Sequence, residues 1–241
     1  MLSDQMAAVI ALVGGGGDKG VGLSVAAAGA AAAALGVDGI CAGVGTGPEG
    51  VVLAWGREET STALEEAAFT LGEGPGRDCM AAGVPVLVDD LSGAMARWPV
   101  FAPFAMDLGV RAIFALPLRI GAISVGTLLA HRGSPGSLRG GQLIDALALA
   151  DALTMLLLRR ATRESARPTA GGEGPSAGWA APVTHRLEVH QATGMVSVQL
   201  GVSLAEALVR LRAYAYANDR SLNEVAADVV SRRLRLDGPG S

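Results

Sequence analysis

The sequence predicts an α+β domain followed by a smaller all-α domain. Between residues 39 and 130, short apolar runs alternate with Gly, Pro and Asp, and segments with helical spacing flank these runs on both sides. Residues 168–182 contain three prolines, four glycines and almost no large apolar side chain, which is typical of a flexible linker. The rest of the chain has helical spacing. We therefore expect domains at residues 1–167 and 183–237, joined by a linker at 168–182.

The first domain is predicted to be an antiparallel sheet flanked by helices. An opening helix pauses at the glycine-rich residues 14–20 and resumes as an Ala-rich helix that Gly36 ends. Later helices are indicated by apolar residues three and four apart, and strands by short apolar runs between turn residues. The later elements are a hairpin of Gly39–Gly43 and Val51–Trp55, a helix at Thr60–Phe69, strands at Pro85–Val88, Ala112–Arg119 and Ala122–Ala130, and a closing helix from Leu138 to Ala166.

The second domain is predicted to contain three helices. The first covers Val183–Leu200, and the next two begin at Ser203 and Ser221, each with a glutamate three residues later. This spacing is a capping box, in which a serine cap contributes about 1 kcal/mol. The last turn of the third helix is expected to carry arginines, which complement the helix dipole. They are Arg232, Arg233 and Arg235.

Composition excludes several classes of protein. The chain has two cysteines and three histidines, without the spacing of a zinc site, so we expect no disulfide framework and no metal. No nucleophile and base occur at catalytic spacing, so we expect no enzyme. The start lacks the basic segment of a secretory signal, and Pro117 and Arg119 interrupt the apolar residues 112–130. We therefore expect a cytoplasmic protein that does not span a membrane.

Charge is distributed unevenly between the two domains. Residues 1–167 contain twelve Lys and Arg against sixteen Asp and Glu, whereas residues 183–237 contain seven Arg against six acidic residues. The acidity of the chain therefore belongs to the first domain. A nearly neutral second domain can bind a polyanion only through a few well-placed residues.

The second domain resembles an ANTAR domain. The resemblance lies in Glu188–Val196, Ala205–Leu208, Leu211–Ala213 and Arg220–Ala226, within a match over residues 187–236. It implies a three-helix module that binds RNA hairpins in nascent transcripts and prevents a terminator from forming, usually as a dimer controlled by a sensor domain. One position departs from many members, which have a lysine where this chain has Thr193.

Several polar residues on these helices are candidates for RNA contacts. Arginine both binds phosphates and stacks on unpaired bases, as recognition of a hairpin loop requires. The alternative is that Arg210 and Arg212 lie on an ordinary solvated helix face. The RNA-binding candidates are Gln191, Thr193, Arg210, Arg212, Arg220 and Asn223.

A homodimer is expected from the first helix of this domain. Its apolar residues occupy more than one face, and two short helices do not cover that much apolar surface. The residues concerned are Leu187, Ala192, Met195, Val196 and Val198.

The first domain resembles a GAF domain of the kind found before ANTAR domains. The resemblance lies in Phe69–Gly76, Gly83–Leu91, Arg97–Phe101 and Gly109–Ala112. It implies a small-molecule sensor, with ligands that range from cyclic nucleotides to tetrapyrroles, or with none known. The ligand of this chain is unknown from the sequence.

Two readings are open for each candidate of the sensor domain. An aromatic cluster either walls a ligand pocket, with Arg111 for an anionic group, or belongs to the core. Cys41 and Cys79 are either inert buried thiols or reactive sensors, and the Gly72–Gly76 loop is either a tight turn or an anion cradle. The ligand-binding candidates are Cys79, Trp98, Phe101, Phe104 and Arg111.

Together these features predict a signal-responsive regulator of transcription termination, in which the second domain binds hairpin RNA under control of the first. The alternative is a dimerising protein-interaction regulator that does not bind RNA.

Overall fold

The computed structural model describes residues 1–15, 24–45, 52–56, 58–165 and 177–236. The chain divides into a first compact unit, Met1–Phe69 with Glu73–Gly171, and a second that contains Gly172–Ser241. Most of the glycine-rich pause, the hairpin turn at 46–50 and the first part of the expected linker lie outside the described residues.

The first unit is built on a five-stranded antiparallel sheet, which confirms the α+β prediction. The strand order is β2-β1-β5-β4-β3. The central strand β5 and its neighbour β4 are those expected between residues 112 and 130, and they reverse at Gly121, whose φ is 59°. The strands are β1 (Gly39–Val44), β2 (Val52–Trp55), β3 (Val86–Val88), β4 (Ala112–Ile120) and β5 (Ile123–Arg132).

In the described part of the first unit, six α-helices accompany the sheet. The Ala-rich helix ends as expected, because Gly36 adopts the left-handed conformation and its N–H bonds to the carbonyls of Ala32 and Ala33. The helices are α1 (Asp4–Gly15), α2 (Val25–Leu35), α3 (Glu59–Leu71), α4 (Pro75–Ala82), α5 (Phe101–Asp107) and α6 (Gly140–Ser165).

The short helices α4 and α5 were not predicted, because each has too few turns for its apolar spacing to be visible. Helix α5 is stabilised by a contact from elsewhere in the chain. The Glu73 carboxylate accepts hydrogen bonds from the N–H groups of Val100 (2.8 Å) and Phe101 (2.7 Å) at the start of α5. Gly74 precedes α4 with a φ of 131°. The Gly72–Gly76 loop therefore serves the fold as a tight turn.

The longest apolar helix is part of the core. Among the described residues, Gly140–Arg159 of α6 is long and apolar enough to cross a membrane, with a mean hydropathy of 1.6, and 44% of it is buried in the protein. It packs on β4 and α1. This is the arrangement of a core helix with one outward face.

The second unit contains three helices, α7 (Ala177–Leu200), α8 (Leu204–Ala217) and α9 (Leu222–Val230). Helix α7 begins before the expected Val183. Leu204 is 62% exposed, since it is the first residue of α8. The buried residues at the centre of the unit are Val189, Ala192, Val196, Ala207, Leu211, Ala215, Leu222, Val225, Ala226 and Val229.

The two serine caps differ. At Ser221 the full capping box is present, because its hydroxyl accepts from the Glu224 N–H and its own N–H donates to the Glu224 carboxylate. At Ser203 the hydroxyl accepts from the Glu206 N–H, but the Glu206 carboxylate contacts Arg210 instead. The expected box is therefore only half formed at Ser203.

Candidate functional site

The two RNA-binding candidates on α7 occupy different environments. Gln191 is exposed, whereas the Thr193 side chain is buried and its hydroxyl donates to the Val189 carbonyl at 2.7 Å. A side chain that bonds its own helix in the interior cannot reach RNA without a rearrangement. Thr193 therefore lies inside the unit, and not on the RNA-facing surface where the sequence analysis placed it.

The candidates on α8 point partly to solvent. Arg210 pairs with Glu206 one turn earlier, at 2.7 Å, in a surface ion pair of the kind that contributes about 0.3–0.5 kcal/mol. Such a pair opens readily for a phosphate. Arg212 is half-buried, and Tyr216, near the end of the same helix, is exposed.

The candidates around α9 belong to an ion-pair cluster. The Asp228 carboxylate accepts from Arg220 (2.6 Å) and from Arg233 (2.8 Å). The hydrogen bonds from these two arginines hold the pKa of Asp228 below its ordinary value, and the bond to Asp228 raises the pKa of Arg220. Asn223 is half-buried beside this cluster in the first turn of α9, with its Oδ1 unpartnered among the described residues.

The three arginines that were expected in the last turn of α9 lie outside the helix. Helix α9 ends at Val230, so Arg232, Arg233 and Arg235 follow the helix and do not form its last turn. Arg232 has a φ of 60°, which is uncommon for a residue with a Cβ. The sequence signal for this placement is weak, because no Gly or Pro marks the end of α9.

In the first unit, the aromatic candidates do not share one wall. Trp98 and Phe101 are buried and meet edge to face, with ring centroids 6.2 Å apart. The Trp98 indole N–H donates to Asp78 at 3.2 Å, which satisfies its only donor. Phe104 is 39% exposed. Of the two readings, the structure favours a core role for Trp98 and Phe101.

Arg111 and Cys79 are also engaged in the fold. The Arg111 guanidinium donates to the carbonyls of Met106 (2.7 Å) and Val110 (2.9 Å), at the end of α5. The Cys79 side chain is buried, and burial raises its pKa to about 12, so it is a neutral thiol near pH 7. Burial likewise raises the pKa of Cys41 well above its ordinary value. Neither thiol has the features of a reactive sensor.

A polar cluster between α3 and the sheet was missed. Ser61, Glu65 and Thr127 are buried, and the Thr127 hydroxyl has no hydrogen-bond partner among the described residues. Cys41 faces the same region, since the charge of Glu65 contributes to its raised pKa. The polar spacing of 61 and 65 along one helix face was the available signal.

At the edge of this cluster, Glu58 links α3 to β5. Its carboxylate accepts from the N–H groups of Thr60 (3.0 Å) and Ser61 (2.6 Å), and it lies 2.9 Å from His131 Nε2. Burial raises the pKa of the Glu58 carboxyl, but the hydrogen bonds from His131 and Ser61 lower it by more. The net pKa of Glu58 is therefore below its ordinary value.

Glu58→Gln is expected to lower the free energy of unfolding by about 1 kcal/mol near pH 7, because the start of α3 loses a charged cap. A carboxyl whose pKa is lowered by folding stabilises the protein above its unfolded pKa, about 4.3, and stops doing so as the pH falls through the lower folded pKa. The difference between wild type and variant should therefore shrink below about pH 4. Urea denaturation across the acidic range measures it.

The exposed neighbour Glu59 provides the matched control. Glu59→Gln should leave stability within about 0.5 kcal/mol of wild type. An equal effect of both substitutions would contradict the role assigned to Glu58.

Comparison with known proteins identifies both units. Residues 181–230 match the family model of the ANTAR domain. The first unit resembles the GAF domain of a phosphoenolpyruvate-protein phosphotransferase from Acinetobacter, with 11% identity, 67% of this chain and 96% of that chain covered, and a TM-score of 0.53. The corresponding domain from Coxiella burnetii has 15% identity, covers 68% and 99% of the two chains, and has a TM-score of 0.50. No curated protein matches the sequence.

The chain thus combines a GAF fold with an ANTAR domain, as the sequence motifs predicted. At these identities the structural likeness establishes the fold of the first unit. Structures with similar coverage include an enzyme, a free methionine-R-sulfoxide reductase from Neisseria meningitidis, at 19% identity and a TM-score of 0.43, with 68% of this chain and 96% of that chain covered.

Proposed function

We propose that this protein regulates transcription termination by binding hairpin RNA through its ANTAR domain, under control of a signal sensed by its GAF domain. The observation that carries the proposal is the ANTAR match over residues 181–230. ANTAR and GAF domains are regulatory domains, and we propose no enzymatic activity.

The arrangement of cations supports RNA as the partner. Arg210 takes part only in a weak surface pair, and Arg220 lies at the entrance of α9, next to the half-buried Asn223. An RNA loop offers both phosphates for the arginines and base edges for amides such as Asn223 and the exposed Gln191. The nearly neutral charge of the second domain is compatible with RNA binding, because a few suitably placed arginines supply the electrostatic attraction to the phosphates.

We propose that the active form is a homodimer. In α7, Ala192 and Val196 are buried inside their own unit, so they are not available as the seam that was expected, while Val198 is exposed. The Leu187 side chain lies outside the described side chains. The outward face of α6 offers further exposed apolar side chains, Ile144, Leu147 and Met155, in a stripe that the exposed Asp151 interrupts. A stripe along one helix is self-complementary, as a two-fold dimer interface requires.

We propose that any small-molecule signal binds at the polar cluster between α3 and the sheet. Ligand sites combine apolar walls with a few convergent polar groups. The buried Glu65 carboxylate and the unpartnered Thr127 hydroxyl supply such groups, whereas Trp98, Phe101 and Arg111 are occupied in the core and in a helix terminus.

A protein-interaction regulator without RNA binding is the second candidate. It is favoured by the ion pairs that occupy Arg210 and Arg220 and by the burial of Thr193. In that case the helices of the second unit dock only on protein.

RNA binding is tested by enrichment of a pool of two-hairpin RNAs with randomised loops on the purified full chain, followed by mobility shift. We expect a shifted complex that depends on the loop sequence, contains two protein copies by native mass spectrometry, and weakens as salt rises. Linear RNA of the same composition is the control. The RNA proposal is wrong if no loop sequence is enriched, or if linear RNA binds as tightly as the hairpin RNA. Either result favours the second candidate.

A further inference from the structure

A groove in the second unit combines cations, amides and apolar surface. It has a volume of about 740 Å³ and lies between α7 and the segment after α9. The α7 residues follow a spacing of three and four, which places them on one helix face. The groove is lined by Gln191, Gly194, Met195, Val198, Gln199, Arg232 and Arg235.

The two arginines of the groove carry uncompensated charge. The carboxylate of Asp228 is occupied by Arg220 and Arg233. Within residues 188–236, whose side chains the structure describes, no acidic side chain pairs with Arg232 or Arg235. Both arginines are exposed. The groove therefore has a net positive charge and attracts an anion.

The segment that carries these arginines is held in place. The Asp228 carbonyl accepts from the N–H groups of Arg233 (2.8 Å) and Leu234 (3.1 Å), and the Asp228 carboxylate binds the Arg233 side chain. Arg232 keeps a φ of 60°, a conformation that costs a non-glycine residue free energy. These hydrogen bonds to Asp228 hold the backbone after α9, and they therefore position Arg232 and Arg235 in the absence of a ligand.

The apolar residues and the glutamine side chains of the groove match the chemistry of a nucleobase. Val198 is 85% exposed and Met195 is half-buried, so they present apolar surface to a flat ring, and Gly194, one turn before Val198, adds no side chain. Gln191 is exposed, and the Gln199 Oε1 is buried without a hydrogen-bond partner among the described residues. A buried acceptor without a donor is costly, and a base N–H supplies one.

We propose that this groove binds one unpaired nucleotide of the RNA. Arg232 and Arg235 bind its phosphates, and Gln191 and Gln199 read its base edge above Met195 and Val198. This inference rests on the proposed RNA-binding function and adds a contact surface that the candidates on α8 and at the start of α9 do not include.

Charge disfavours the same groove of a second copy of this chain as the occupant. A two-fold interface brings identical patches together, so Arg232 and Arg235 would face their own copies. Like charges placed against each other cost several kcal/mol. A polyanion neutralises the same patch, so the groove fits RNA and disfavours self-association.

The test uses the full chain and the enriched two-hairpin RNA pool, labelled with fluorescein. Arg232→Gln and Arg235→Gln should each weaken binding roughly tenfold, since each loses a charged hydrogen bond to phosphate. The slope of log K against log salt should fall by about 0.7 for each arginine removed. Arg139→Gln, at an exposed arginine of the first unit, removes the same charge and should bind like wild type.

Arg232→Gly separates a folding defect from a lost contact. Glycine adopts a φ of 60° without strain, so this variant should be at least as stable as wild type and still bind roughly tenfold more weakly. If the variants of Arg232 and Arg235 bind RNA as tightly as Arg139→Gln does, the groove is not a nucleotide site, and the proposed RNA-binding function still stands. No enrichment of any RNA overturns both.

Discussion

Leu211→Ala is expected to unfold the ANTAR domain and abolish RNA binding. Leu211 is fully buried in α8, and loss of a buried leucine costs about 2–5 kcal/mol. A three-helix unit this small has a stability of only a few kcal/mol, because short chains bury a small fraction of their surface. Hydrogen exchange read by mass spectrometry should show rapid exchange across residues 188–236, with the first unit still protected.

Leu204→Ala is the matched control, since Leu204 lies on the same helix but is 62% exposed. It removes the same atoms and should change stability by less than about 0.5 kcal/mol. Retained protection of α8 in Leu211→Ala would mean that the packing described around Leu211 is wrong.

Gly126→Ala is expected to destabilise the sheet of the GAF domain by about 3 kcal/mol. Gly126 of β5 pairs with Val44 of β1, and a Cβ at Gly126 would overlap the backbone carbonyl of Gly43 and lie 3.1 Å from the Val44 Cα. Backbone atoms in a sheet cannot move aside as a flexible side chain does, so β1 and β5 must separate locally. Thermal and urea denaturation of the full chain measure the loss.

Gly29→Ala, in the middle of α2, is the control for this prediction. A Cβ at Gly29 meets no atom within 4 Å, and alanine is the better helix former, so stability should rise by about 0.5–1 kcal/mol. Equal effects of the two glycine substitutions would contradict the close approach of β1 and β5.

Much of the fold was predictable because it depends on local spacing. The apolar runs between residues 112 and 130 are bounded by turn residues, and they became β4 and β5 with Gly121 at their reversal. Ser221 and Glu224 form the capping box because both partners lie within one turn. Helices α4 and α5 were missed because both are short, and for α5 also because its cap, Glu73, is 27 or 28 residues away in the sequence, which local spacing does not reveal.

The candidate sites were predicted less well than the fold. The motifs around Arg220 identified the ANTAR domain. The sequence did not show that Asp228 forms its ion pairs with Arg220 and Arg233, so that the charges of Arg232 and Arg235 are not neutralised by it. In the first unit, aromatic residues suggested a pocket, whereas the structure places buried polar groups at α3 and β5. Pairing of charges and burial of polar groups depend on residues distant in the sequence.

The sequence by itself determined the two domain types, the order of most elements and the starts of α8 and α9, since these follow from periodicity, caps and contiguous motifs. Only the tertiary structure decided which polar residues are available to a ligand. Thr193 and Glu65 are turned inward, while the residues after α9 form a cationic groove with α7. The physical reason is that availability depends on what each side chain meets in space, and neighbours along the chain do not specify it.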